Sequence, residues 1–372
     1  MSEDGSAGII VSFTSGANAG KLPGQRCDDS ARIALLGRDW CEIVGGYAVS
    51  GGVSTPRAWC DHLLYRFQFP TTFYKPRFMT KAALSILSHV AHGYVGNRCV
   101  VFPLQYSGWD VDAINTTNYS NHPGYGSFKG SKARVEDIEA ILQGLDDIQL
   151  IDNYDLIMTG YCPTASIIDS VINNVTPMLV LGTKWIFDPV LGDGGRLYVP
   201  SDIVPICKRA LASGNVSLTT PNHFEFELLT ECNVHDMASL RAAIDTFRQR
   251  YRVENVVISS MILNDTMISV AFDHHQAFYL PINRVPCHFN GSGDLFAALL
   301  ANALYDNEWK LTPAVLSDAL VKIHNVLLYT YREAKKVDGD ITTIKDLDII
   351  GLRNFLLQDN RTDVVDQAVY LK

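Results

Sequence analysis

The chain has 372 residues, 47% hydrophobic and 19% charged, with a formal net charge of −9. That balance excludes a sequence-independent grip on nucleic acid, which needs surplus lysine and arginine, and no run of about 18 apolar residues offers a membrane span. Eight cysteines, at positions 27, 41, 60, 99, 162, 207, 232 and 287, form no C-x-x-C pair; this argues against a zinc site or secreted disulfide framework and predicts free thiols in a reducing compartment.

Residues 1–78 hold scattered Gly, Ser, Pro and Arg without a sustained period of 2 or 3.6. They begin MSEDGSAG, acidic rather than basic, a poor secretory or transit signal. The expectation is an N-terminal extension, disordered or outside the core, although the aromatic run RFQFPTTFYKPRF could dock on the main domain. From Met79 strand-like and helix-like segments alternate. ALSILSHV (83–90) reads as a buried strand, VGNRCVVFPLQYSG (95–108) as a helix and WDVDAINTTNYS (109–120) as a strand. Then come helix 133–145, strand 155–161, helix 166–175, strand 184–190, helix 202–211 and strand 216–220. NVVISSMIL, TMISVAF and AFYLPINRV are spaced closely enough to be hairpins. The end reads as helical, over 294–305, roughly 313–335 and near 345–358. Repeated strand–helix alternation predicts an α/β fold: a three-layer sandwich with a mostly parallel central sheet and helices on both faces. Ligands in such sheets bind beyond the carboxyl ends of the strands.

Polar motifs fall at those ends. Asn290-Gly291-Ser292-Gly293-Asp294 opens an apolar helix, where glycines let backbone N–H groups converge on an anion and the helix terminus favours negative charge. Asp294 there suits a base for a substrate hydroxyl; taken alone, the motif fits helix capping equally well. Asp188-Pro-Val-Leu-Gly-Asp193 ends a strand in two carboxylates, suited to Mg²⁺ through waters or to a solvated turn. Thr220-Pro-Asn222-His-Phe-Glu225 is a strand exit into a helix, with Glu225 either on the same rim or a first-turn dipole partner. Gly93-Tyr94-Val95-Gly96-Asn97 comes after the first strand, and Tyr119 to Gly126 makes a polar loop suited to a lid. His89 and His122 read as packing or hydrogen-bonding groups before acid–base ones.

The run SILSHVAHGYVGN, SNHPGYG, LIMTGY, DPVLGD, LYVP, TPNHFEFELL, VVISS and NGSGDLFAALLA resembles the pyridoxal kinase family of the ribokinase-like superfamily over nearly all of residues 82–372. GSGD and TPN are shared by ribokinase-like kinases broadly; GYVGN with SNHxGY narrows the match. The resemblance implies ATP-dependent phosphorylation of the 5′-hydroxymethyl group of pyridoxal, with pyridoxine and pyridoxamine as co-substrates. It makes Asp294 the catalytic base, with Gly291, Ser292 and Gly293 as the anion hole. It places Ser88, Val95, Tyr119, Pro123 and Tyr161 beside the vitamer, and Asp188, Tyr198, Thr220, Asn222, Ser259, Ser260 and Ser292 beside the nucleotide. Asp193 and Glu225, with Asp188 and Thr220, become the surroundings of Mg²⁺ and of an activating K⁺. A homodimer and a cytoplasmic enzyme, with a nuclear pool allowed, are implied by the family alone. Two departures stand out: Pro123 replaces the Thr of many animal relatives, stiffening the lid, and the stretch from Asp193 to Tyr198 is short. The rival readings are a same-fold kinase of another hydroxymethyl heterocycle, such as a hydroxymethylpyrimidine, and a non-catalytic vitamer-binding protein.

A parallel-sheet domain beginning at Met79 already has a complete core. Protein starting at Met79 is therefore expected to melt within about 10 °C of the full chain, a shift of only a few kcal/mol at this size, and to retain its kinase activity. A larger drop, insolubility or lost turnover would make residues 1–78 a working part.

Overall fold

The computed structural model describes residues 80–180, 182–361 and 364–371; the extension expected over 1–78 lies outside the described residues. Strand β1 (Lys81–Val90) leads through the GYVGN turn into helix α1 (Asn97–Tyr106) and strand β2 (Trp109–Tyr119), with a short edge strand β3 (Gly130–Lys132). Next are α2 (Val135–Asp147), β4 (Leu156–Thr159), α3 (Ala165–Met178), β5 (Lys184–Phe187), the small hairpin β6 (Gly192–Asp193) and β7 (Arg196–Leu197), α4 (Ile203–Ala212) and β8 (Leu218–Thr219). Helices α5 (His223–Thr230) and α6 (Met237–Arg250) precede the antiparallel β9 (Asn255–Leu263), β10 (Thr266–Phe272) and β11 (Ala277–Pro281). The chain closes with β12 (His288–Phe289), α7 (Ser292–Tyr305), α8 (Pro313–Val337), β13 (Thr343–Ile344) and β14 (Val369–Tyr370).

Among the described residues one sheet has ten strands in the order β14-β11-β10-β9-β8-β5-β4-β1-β2-β3. Its centre, from β9 to β2, is parallel throughout. Two hydrophobic cores cover its faces. One gathers Trp185, Phe187, Phe226, Phe247 and Phe272 with the inward sides of α2 to α6; the other joins Leu87, Val100 and Leu218 to the apolar sides of α1, α7 and α8. This is the layered α/β architecture expected from the alternation. Among the described residues no helix is long and apolar enough to cross a membrane, and Cys99, Cys162, Cys207, Cys232 and Cys287 are all free thiols.

Two segments differ from expectation. The helix expected near 345–358 is instead a five-residue 3₁₀ turn, Arg353–Leu357. The Asp348 side chain accepts the Gly351 N–H, and that of Asp346 accepts the Tyr94 N–H, so local carboxylates capture backbone donors and a turn wins over a helix. Helix α6 has no counterpart in the periodic reading, yet it carries a usable signal. Asp236 and Ser239 form a reciprocal cap, and Leu240, Ala243, Ile244 and Phe247 are buried at helical spacing.

Asn97, the last residue of the GYVGN turn, is a buried staple between β1 and β2. Its Nδ2 lies within hydrogen-bond distance of the Leu87 and Ile114 carbonyls and Asn115 Oδ1, and its Oδ1 accepts from Ser85 Oγ at 2.7 Å. Asn97→Ala would leave several buried groups unpaired at about 1–3 kcal/mol each. We expect it to lower the urea midpoint by an amount equivalent to about 2–3 kcal/mol, with an unchanged denaturant slope.

Candidate functional site

Five neighbouring parallel strands deliver the sequence-predicted residues to one edge of the sheet. Ser88 and Tyr119 stand at the ends of β1 and β2, Tyr161 two residues beyond β4, Asp188 directly after β5 and Thr220 directly after β8. Two irregularities re-aim side chains there, as bulges do beside sites. The β1–β2 register slips between Leu87 and His89, around Ser88. The β9–β10 register slips between the Ile258 and Met261 pairs, placing Ser259 and Ser260 in the added segment of β9.

The two glycine motifs interlock at the mouth of α7. Gly291 caps the helix with φ +78°, and a Cβ there would lie 2.0 Å from the Tyr94 carbonyl oxygen. Gly96, with φ +53° and ψ −133°, leaves no room either, since a Cβ would lie 2.1 Å from the Ser88 carbonyl oxygen. Because both positions lack a side chain, the Gly96 N–H reaches Asp294 Oδ2 at 2.8 Å. Cys99 Sγ closes the joint on the Gly291 carbonyl at 3.2 Å. The leading N–H groups of α7 have no intrahelical acceptors, as at any helix start, and point out beside Asp294. The carboxylate therefore does not merely cap its helix; it is held from the opposite turn. Burial pushes its pKa up to about 6, with the Gly96 N–H opposing that rise.

The second carboxylate group divides. Asp188 is buried, and desolvation, then the charges of Glu225 and Asp294, push its pKa well up. Glu225 is buried as well. Its Oε1 accepts the Leu191 and Gly192 N–H groups at 2.8 and 3.3 Å, and its Oε2 accepts that of Asn222 at 2.9 Å. Burial raises its pKa, and those three N–H groups pull against it. Asn222 completes a reciprocal cap through the Glu225 N–H and donates to the Gly192 carbonyl at 2.7 Å. Glu225 and Asn222 thus hold the turn after β5 in place. Asp193, by contrast, is exposed at a tight hairpin through Gly194 and Gly195, both at positive φ, which is the backbone a two-residue connection demands.

Asp193, Ser259, Ser260, Ser292 and Gly293 line one cleft of about 540 Å³, whose apolar wall includes Val285, Phe296, Leu320 and Leu327. Asp188, Thr220 and Asn222 are not part of its lining, and Tyr198, just after the hairpin, is 62% exposed. At the end of β2, Tyr119 packs its ring against Phe128 at 4.7 Å and lies close enough to Tyr161 to raise that phenol's pKa, after burial itself. Val95 is half-buried in the GYVGN turn and Pro123 is exposed on the loop after β2. His122 is a buried structural group: Nδ1 accepts the Gly124 N–H at 3.2 Å, leaving Nε2 to donate to the Lys345 carbonyl at 2.9 Å. His89 lines a smaller cavity behind β1, and burial, then Arg98, lowers its pKa.

Among the described residues no group of three His, Cys, Asp or Glu side chains is placed to hold a metal by itself. The donors nevertheless fit a cation shared with phosphate oxygens and water, which is how Mg²⁺ is usually held. Thr220 Oγ1 is buried with no hydrogen-bond partner, and the charges of Glu225 and Asp294 disfavour the ionisation of Asp188.

Asp294→Asn isolates the cost of the buried charge. A carboxyl whose pKa is higher folded than unfolded weakens the fold above its folded pKa, and the penalty vanishes as both states take up the proton. The variant should therefore melt higher than the native chain at pH 7.5, with the difference shrinking from about pH 6 to about pH 4. Thermal melts across that range check it; a pH-independent difference would contradict the buried-charge assignment.

Comparison with known proteins agrees with this geometry. Residues 134–320 match the family model described as phosphomethylpyrimidine kinase. A Saccharomyces cerevisiae protein provisionally named a pyridoxal kinase is 38% identical over 299 residues, covering 75% of this chain and 94% of its own. The pyridoxal kinase of Sus scrofa is 32% identical, over 69% of this chain and 85% of that one. The solved pyridoxal kinase from Leishmania donovani in complex with ADP and pyridoxine superposes with a TM-score of 0.69 at 27% identity, over 78% of this chain and 98% of its own. With the sheet order, the interlocked glycine turns and these whole-length relatives in agreement, the chain belongs to the pyridoxal kinase family.

Proposed function

We propose that the protein transfers the γ-phosphoryl group of ATP to the 5′-hydroxymethyl group of pyridoxal, pyridoxine and pyridoxamine, giving the 5′-phosphates and ADP. The observation that carries this reading is Asp294, held by the Gly96 N–H at the mouth of α7 and next in the chain to Ser292 and Gly293, which line the serine-rich cleft. With its pKa near 6, Asp294 is largely ionised at neutral pH yet more basic than an ordinary carboxylate, the compromise that general-base catalysis favours. It orients the substrate hydroxyl and accepts its proton as the new O–P bond forms and the bond to the ADP oxygen breaks. The N–H groups of Gly291, Ser292 and Gly293 face the charge on the transferring group. Ser259, Ser260 and Asp193 line the nucleotide side; Asn222 and Glu225 act through the turn they hold; Ser88, Val95, Tyr119, Pro123 and Tyr161 form the vitamer side.

Mg²⁺, when bound with the nucleotide, neutralises phosphate charge. Asp193 is the carboxylate exposed to it, while Asp188, Thr220 and Glu225 supply oxygen donors that also suit K⁺. Tyr198 flanks the nucleotide from the hairpin side. A homodimer in the cytoplasm completes the proposal on family grounds.

One observation favours a second reading. The matching family model is named for a pyrimidine kinase, so a hydroxymethylpyrimidine is the rival substrate. That match begins at residue 134, after GYVGN and SNHPGYG; of the residues placed beside the vitamer it includes Tyr161 but not Ser88, Val95, Tyr119 or Pro123.

A coupled ADP-release assay across the three vitamers and hydroxymethylpyrimidine separates the readings. Vitamer-dependent turnover should require Mg²⁺ and be faster in potassium than in tetramethylammonium salt. Asp294→Ala should lower kcat by about 10²–10⁴-fold with ATP affinity retained. Turnover on the pyrimidine alone would replace the substrate assignment. A loss under about tenfold in the variant would remove Asp294 as the base.

A further inference from the structure

Residues 343–346, which run into the start of the segment expected as a helix near 345–358, join three parts of the site. Strand β13 pairs with β12 immediately ahead of the Gly291–Asp294 turn, and both Asn290 N–H groups, backbone and side chain, reach the Ile344 carbonyl at 3.4 Å. Next along the chain, the Lys345 carbonyl faces His122 Nε2 at 2.9 Å, and the Lys345 ammonium sits 4.6 Å from the centre of the Tyr125 ring. Asp346 is the next residue. Its Oδ2 accepts from the Tyr125 hydroxyl, and its Oδ1 accepts the Tyr94 N–H at 3.3 Å. His92 and His122 approach the same carboxylate at 3.7 and 3.8 Å. Gly93, at φ +94°, leaves the space that Asp346 occupies: a Cβ there would lie 2.1 Å from Oδ1.

One carboxylate therefore bridges the GYVGN turn, whose next residues hold Asp294, and the loop over 122–125 that covers the vitamer side. Desolvation, with the Asp346 bond and charge adding to it, raises the Tyr125 pKa to about 12, so the phenol remains a donor throughout the working pH range. We propose that Asp346 is a positioning residue that latches the 122–125 loop to the catalytic turn and so sets the affinity for the vitamer rather than for the nucleotide. The proposal rests on the function given above. Asp346 itself need not touch substrate; it fixes where Tyr125, His122 and Tyr94 stand, and a charged acceptor makes the stronger kind of hydrogen bond.

Two measurements test it. Hydrogen exchange of residues 120–127 in the full chain needs no substrate, so it reads the latch whatever the enzyme phosphorylates. Asp346→Ala should speed exchange there by at least tenfold, while the strands β4 and β5 keep their protection. Steady-state kinetics should then show a vitamer KM raised at least tenfold, an ATP KM within about twofold and a smaller change in kcat. Loss of water exclusion should also raise the ratio of ADP released to vitamer phosphorylated. Tyr125→Phe should reproduce the effect more weakly, and the double variant should be no worse than Asp346→Ala. Asp346→Asn, which keeps an acceptor for the Tyr94 N–H, should recover part of the loss. Unchanged exchange in Asp346→Ala, equal shifts in both KM values, or additive effects of the two substitutions would each overturn the latch. Failure of the native chain to phosphorylate any vitamer would overturn the function reading alone, with the exchange result still deciding the latch.

Discussion

The site depends on one steric constraint: two glycine turns, far apart in sequence, pack backbone against backbone. Gly291 accepts the Tyr94 carbonyl where a Cβ would stand, and Gly96 does the same for Ser88. Only with both side chains missing can the Gly96 N–H reach Asp294. A carboxylate held from across the joint is oriented by the tertiary structure and not by its own helix. This is the difference between a capping residue and a preorganised base.

Charge distribution depends on that joint. Burial disfavours the ionised forms of Asp188, Glu225 and Asp294, and at Asp188 the charges of the other two add to it. A protein selected for stability alone would gain from removing such charges; active sites are where strained electrostatics persist. Glu225 shows how the strain is distributed. Three backbone N–H groups oppose the rise in its pKa, and the same bonds anchor the turn carrying Gly192. Asp193, one residue further, is left exposed at the cleft.

The C-terminal segment plays an analogous part on the vitamer side. Its residues bond the loop at 122–125, the turn at 93–94 and the strand before Gly291. These parts come from both ends of the described chain. The segment can join them because its own backbone is irregular there, with Asp346 and Asp348 spending their oxygens on N–H groups instead of continuing a helix.

Most of this architecture was legible in the sequence. Alternating apolar strands and amphipathic helices implied the parallel sheet, and the rule that ligands bind beyond strand ends pointed to the motifs holding Tyr119, Asp188 and Thr220, while Ser88 and Tyr161 were singled out by the family resemblance. Glycines at 96 and 291 signalled unusual backbone, since left-handed and closely packed positions exclude other residues. The helix over Met237–Arg250 was also encoded, in the Asp236–Ser239 cap and the spacing of its buried residues. What local pattern does not carry is the identity of long-range partners. The donor to Asp294 comes from 198 residues away and the acceptor for Tyr125 from 221. Neither separation has a periodicity to reveal it. The sequence by itself determined which elements form and which residue types stand at their ends, because helices and strands are set by nearest-neighbour propensity and spacing. Only the tertiary structure decided that Glu225 is enclosed while Asp193 is exposed, that His122 braces a loop, and that the segment expected as a helix near 345–358 opens on the bridging residues Lys345 and Asp346. Those outcomes depend on which distant backbone groups compete for the same carboxylate oxygens.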